Sequence, residues 1–180
     1  MIKLEIDQGQ IRTVIDSFNL DKADMDKACK MALSRTATYI ISKIVKEISK
    51  TTGMPQKLVK ARIGKFIKTT LSVKIWNGLN PIKLIRFLTT EKMQSKSFQR
   101  YLSGKGVKVG KYEVYGAFFA FGGTRIVQRT GKERFPIKNV TVEIAIDESK
   151  IIDAVIESEY ADRLYTELQR ACRWQIVRKS

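Results

Sequence analysis

The 180-residue sequence contains no histidine, and that absence removes several chemistries at once. Histidine-based catalytic triads, imidazole acid/base catalysis and histidine-containing zinc sites all need a side chain that the chain lacks. Cysteine occurs only twice, as Cys29 and Cys172, too few for a four-cysteine site. Both fall on apolar helical stripes, which predicts small buried thiols rather than a disulfide. No apolar run approaches the roughly 20 residues that span a bilayer, so no membrane contact through a spanning segment is expected. The opening residues Met1-Ile2-Lys3-Leu4-Glu5-Ile6-Asp7 alternate apolar with charged instead of building a signal-peptide core, which predicts synthesis in a cytoplasm. Phosphate-loop and dinucleotide fingerprints are missing too, because Ser103 to Lys111 spaces its glycines wrongly for either. The sequence thus predicts no cofactor, no metal site and no enzymatic activity.

What the chain has is positive charge, +16 net, and a hydrophobic fraction of 43% that suffices for a core. The charge is segregated. Residues 57–138 hold 19 Lys and Arg against three acids, Glu91, Glu113 and Glu133, whereas the flanks together hold 15 of each sign. A basic field of this kind implies an anionic counterpart: nucleic acid, a membrane surface or an acidic protein face.

Periodicity changes twice along the chain. Residues 2–6 alternate as a short strand, and a short helix is expected over 11–18. From Met25 the apolar positions Cys29, Leu33, Thr36/Ala37, Ile40, Ile44 and Ile48 keep one helical face, with Asp21 or Asp24 as cap and Gly53-Pro55 as stop. Pro55 opens a second short helix. Period two then predicts strands: Lys65 to Asn77, interrupted near Thr69-Thr70, with Phe66, Leu71, Val73 and Ile75 on one side; Pro81 to Phe87; Gly106 to Phe121, broken near Gly110; Thr124 to Arg129; and one or two more within Phe135 to Ile146. The polar segment 89–106 is read as a mobile loop. From Asp147 the helical period returns through Ile152, Val155, Tyr160, Leu164, Leu168, Cys172 and Ile176, with Asp147 or Ser149 as cap. The expected fold is α+β, a mostly antiparallel sheet of about four to six strands packed by a long N-terminal and a long C-terminal helix. It is read as a single domain over 1–180, with a mainly helical part (1–63), a basic sheet part (64–146) and the final helix (147–180).

Within the basic block, Lys105, Lys108, Lys111, Arg125 and Arg129 recur at short spacings on strands expected to be neighbours, an array that suits contact with phosphates or an acidic partner. Individually each also reads as an ordinary solvated lysine or arginine. Tyr112, Tyr115, Phe118, Phe119 and Phe121 could stack bases, but Phe118 and Phe119 point to opposite sides of a strand, so the set is read mainly as core. Gly122-Gly123 reads as a hairpin turn needing positive φ. Two acidic sets, Glu143/Asp147/Glu148 and Asp153/Glu157/Asp162, are the residues a metal-dependent nuclease would use; ordinary i,i+4 pairing on an exposed helix accounts for the second.

Three blocks in order carry a family resemblance. "ALSRTATYIISKIVKEISKTTGMPQKLVKARI" (Ala32 to Ile63), "LSVKIWNGLNPIKLIRF" (Leu71 to Phe87) and "GAFFAFGGTRIVQRTGKERFPI" (Gly116 to Ile137) resemble the prophage minor tail protein Z family. After Pro136-Ile137 the Gly-Pro-Ser segment of many relatives is missing. The resemblance implies a non-enzymatic phage or prophage virion protein that completes the head-proximal end of the tail and supports head-tail joining. It also implies contact with other tail and neck proteins, self-association into a ring, and a basic segment facing either channel DNA or acidic neighbours. The alternative is a sequence-independent nucleic-acid-binding module.

Overall fold

The structure is a computed structural model that describes residues 2–5, 9, 17–69, 71–78, 80–88, 106–143 and 145–179. The elements run β1 (Ile2–Glu5), α1 (Lys22–Thr52), α2 (Gln56–Lys60), β2 (Ile63–Thr69), β3 (Ser72–Asn77), β4 (Ile82–Lys83) and a 3-10 turn (Leu84–Phe87). They continue through β5 (Gly106–Val109), β6 (Tyr112–Tyr115), β7 (Ala117–Ala120), β8 (Arg125–Arg129), β9 (Ile137–Asn139), β10 (Thr141–Val142) and α3 (Ala145–Lys179). This is the expected α+β class with a long helix in the N-terminal part of the chain and another at its C-terminal end. Among the described residues every strand pair is antiparallel, but the strands divide into four small sheets, β1-β3-β2, β10-β4, β5-β6 and β7-β8-β9, instead of joining one. The mobile loop expected at 89–106 lies, up to residue 105, outside the described residues, as do residues 11–16 of the short helix; Ser17 and Phe18 form a turn.

The chain forms two compact units, one of Met1–Glu47, Val59–Gly78 and Ser149–Ser180, the other of Ile48–Leu58 and Leu79–Glu148. In the first unit Asp21 caps α1, accepting from the Asp24 backbone N–H at 2.8 Å, which satisfies one of the otherwise orphaned donors of the first turn. The predicted stripe is the buried one: Cys29, Leu33, Ala37, Ile40 and Ile44 are all at most 1% exposed. The sheet β1-β3-β2 packs Leu4, Val73 and Ile75 inward. From α3 come Ile152, Val155, Leu164, Leu168, Ala171 and Cys172. α1 and α3 run antiparallel, since Gln175 meets Met31, Arg163 lies over the Tyr39 ring, and Glu159 accepts from Lys43. Lys65 from β2 donates to Ser34 and Thr38 of α1, and the Tyr160 hydroxyl of α3 donates to the Glu5 carbonyl of β1. Burial, with Glu5 adding to it, pushes the Tyr160 phenol up to about 12 and keeps it a donor. Both cysteines are free and buried, as their positions predict.

Phe66 departs from expectation. Its spacing predicts a shared face with Val73 and Ile75, yet it pairs in register with Lys74, on the opposite face, and is 64% exposed. The expected break near Thr69-Thr70 is in fact a hairpin with an irregular register at Ile67/Thr69, and each such slip moves a side chain to the other face.

In the second unit the last turn of α1 is closed by Gly53 (φ 72), whose N–H donates to the Ser49 carbonyl at 2.9 Å. Its core gathers Ile48, Met54, Ile82, Leu84, Phe87, Val107, Val109, Ile126, Val127 and Val140. The strand expected over Pro81 to Phe87 survives only as β4; Leu84 and Phe87 are both buried because a 3-10 turn brings i and i+3 to the same side. Gly106 to Phe121 gives three strands rather than two, with breaks at Gly110 and Gly116. α3 begins at Ala145, before the caps expected at Asp147 and Ser149, and so takes residues assigned to the last strand.

Candidate partner-binding surface

The cationic side chains singled out in the sequence lie on two of the second unit's sheets, apart from Lys105, which is outside the described residues. On β5-β6 the pleat sends Val107 and Val109 inward and Lys108 outward, and Lys108 stands opposite Glu113. Lys111 lies in the turn, its ammonium 5.4 Å from the centre of the Tyr112 ring. Tyr112 in turn packs edge-on against Phe87, so the ring is fixed from the core side.

On β7-β8-β9, alternation places Arg125, Val127 and Arg129 on one face of β8. Both arginines are exposed at the strand's two ends while Val127 between them is buried. Each guanidinium lies over an aromatic ring, Arg125 at 4.8 Å from the centre of Phe121 and Arg129 at 5.3 Å from that of Phe118. Strand geometry separates their attachment points by about 13 Å. The turn between β7 and β8 holds Phe121, Gly122 and Gly123 at positive φ (55, 65 and 85°) and is closed by Thr124, whose backbone N–H and hydroxyl both donate to the Phe121 carbonyl. The glycine pair is the predicted hairpin turn, and it throws Phe121 outward.

Phe121 is therefore 62% exposed and Tyr115 69%, so neither belongs to the core to which the sequence assigned them; Phe118 and Phe119 are half-buried. A third arginine pair lies outside the residues singled out in the sequence. Arg134 stacks 5.8 Å from the Phe135 ring in the exposed loop after β8, which Thr130 closes by donating twice to the Pro136 carbonyl. The sequence signal for it was the Lys132-Glu133-Arg134-Phe135 run inside the basic block.

Such pairs present a charge and a flat apolar surface together, which suits a polyanion or an acidic, aromatic-bearing protein face. Among the described residues no three of His, Cys, Asp or Glu lie close enough together to hold a metal ion. No helix among them is long and apolar enough to cross a membrane.

The sequence matches a family model of phage tail proteins. The match, to Prophage minor tail protein Z (GPZ), covers residues 10–179, and the chain belongs to that family. No curated protein and no solved structure matches it. Membership makes it a prophage minor tail structural protein, with a place in the virion tail, and bears out the resemblance of the three sequence blocks.

Proposed function

We propose that this protein completes the head-proximal end of the tail and supports head-tail joining, as a ring of subunits that contacts neighbouring tail and neck proteins and the DNA of the channel. It acts by binding and not by catalysis. The observation that carries the reading is the set of exposed arginines over aromatic rings, Arg125/Phe121, Arg129/Phe118 and Arg134/Phe135, in a chain of a minor tail family. Charges spread along strand ends and loops follow a phosphate backbone without entering a groove, so contact with DNA is sequence-independent.

Complementation of a tail-defective phage tests the reading. Charge reversal at Lys105, Lys108, Lys111, Arg125 and Arg129 is expected to abolish infectious particles while the purified variant keeps its helical content. Unimpaired assembly by that variant would remove these residues from function. Binding of duplex DNA by the isolated wild-type chain, lost at high salt, would favour the DNA address over acidic neighbours.

A further inference from the structure

The first unit carries a second basic feature, built from residues other than those singled out in the sequence. A groove of about 460 Å³ lies between the first half of α1, β2 and the last turns of α3. Its apolar lining is Met31, Ile67 and Trp174, the last two 41% and 45% exposed. Around these stand Lys27, Lys30, Arg35 and Arg178, and no carboxylate among the described residues lines the groove.

These cations are poorly compensated. Lys27 pairs with Asp24 at 3.0 Å. Arg35 reaches Glu167 only at 3.8 Å, and that buried carboxylate is already held by Arg163 at 2.7 Å and Arg170 at 3.1 Å. Lys30 and Arg178 have no ion pair among the described residues, and Arg178 lies over the Trp174 ring. A phosphate backbone would leave the apolar floor unused. An acidic protein segment carrying a ring or aliphatic side chain would use both.

The same unit displays such a segment. On the exposed side of α3, Glu157 and Asp162 flank a strip of Ala154, Ser158, Ala161 and Tyr165, whose helical spacing puts them on one face, and Tyr165 is 55% exposed above the small residues. Asp153 adds a third exposed acid at its edge. Within one copy the strip cannot satisfy the groove: Glu157 and Trp174 are 17 residues apart on one helix, roughly 25 Å, about three Debye lengths at physiological salt.

We propose that the groove receives the acidic strip of α3 from a second copy of this chain, with Tyr165 over Ile67 and Trp174, and Glu157 and Asp162 against Lys30 and Arg178. Two different patches meet, so the contact is heterologous and propagates, closing a ring where the rotation per copy permits. The inference rests on the reading of the protein as a self-associating tail component and names the surfaces that would associate.

Sedimentation of the purified chain over a concentration series to about 1 mM, at low and high salt, supplies the test. Wild type is expected to associate with concentration and to dissociate at about 1 M salt, where the Debye length is about 3 Å. Lys30→Glu/Arg178→Glu and Glu157→Lys/Asp162→Lys, all exposed positions, should each need at least about tenfold more protein to associate. A mixture of the two double variants pairs opposite charges at both surfaces and should associate like wild type; because it needs both variants folded, it also controls for misfolding. A monomeric wild type at every concentration, variants that associate unchanged, or a mixture that stays monomeric would each overturn the proposal. Arg125→Glu/Arg129→Glu is expected to associate normally, so failure of the DNA-contact reading and failure of this one give different results.

Discussion

The Tyr39 hydroxyl of α1 donates to Oε2 of Glu159 on α3 at 2.7 Å while Lys43, one turn further along α1, donates to Oε1 at 2.7 Å. The hydrogen bond from Lys43, then that from Tyr39, holds the Glu159 carboxyl below its ordinary range, and the same pairing raises the Lys43 ammonium. A depressed carboxyl contributes stability above its unfolded value and loses it as pH falls through the folded one. A raised ammonium contributes below its unfolded value and loses it as pH rises through the folded one. Glu159→Gln is therefore expected to lower the thermal midpoint modestly at neutral pH, with the gap to wild type closing as the solution is acidified through the carboxylate range. A gap independent of pH would show that the charge pair is not its source.

Core truncation separates the stripe residues from the exposed ones. Ile40 and Leu168 are 0% and 2% exposed, and Ile40→Ala or Leu168→Ala is expected to cost about 2–5 kcal/mol in urea unfolding. Val177, 74% exposed on the last turn of α3, should cost no more than about 0.5 kcal/mol as Val177→Ala.

Gly106 opens β5 at φ 150°, and a Cβ there would sit 2.3 Å from the Val114 carbonyl oxygen. Since that neighbour is backbone in the paired strand, Gly106→Ala should part the β5-β6 hairpin and cost more than about 3 kcal/mol. Gly131→Ala, in the open loop after β8, has nothing within 4 Å of the added carbon and should change stability by less than about 0.5 kcal/mol.

Burial pushes the Cys29 thiol up to about 11, with Cys172 and Asp26 adding to it, and burial raises Cys172 as well. At pH 8 about one Cys29 in a thousand is then thiolate, even before access is considered. Labelling by a thiol reagent should be at least about 100-fold slower in the native protein than in denaturant, and equal rates would place the thiols at the surface.

If Arg125 and Arg129 meet phosphates, the double substitution Arg125→Gln/Arg129→Gln should weaken duplex binding equally for unrelated sequences. It should also reduce the slope of log K against log salt by about two. Weakened binding with an unchanged slope would mean that these arginines position other groups.

Local chemistry made much of this architecture legible. The stripe from Cys29 to Ile48, the Asp21 cap, the Gly53 stop and the Gly122-Gly123 turn all follow from spacing and backbone preference within a few residues. The misplaced residues depended on strand register and turn handedness, which residue type and period alone do not fix. Phe66 has the right type and period for a core strand, but the register against β3 turned it outward. Phe121 stands beside a strand of alternating residues, and the left-handed turn decides its direction. The groove around Trp174 is not legible in the sequence, because its cations come from Lys27 to Arg35 and from Arg178, outside the basic block, where the flanks balance in a linear count.

A long arginine side chain carries about 2 kcal/mol of rotamer entropy, normally surrendered when it grips a partner. Arg125 and Arg129 have the rings of Phe121 and Phe118 beneath them, so part of that freedom is already lost in the unbound protein. If they engage an anion as proposed, the stiffness of the pairs and not their number lowers the cost of engagement. A phenylalanine that presents as a candidate for base stacking would then act as a rest that holds a charge still.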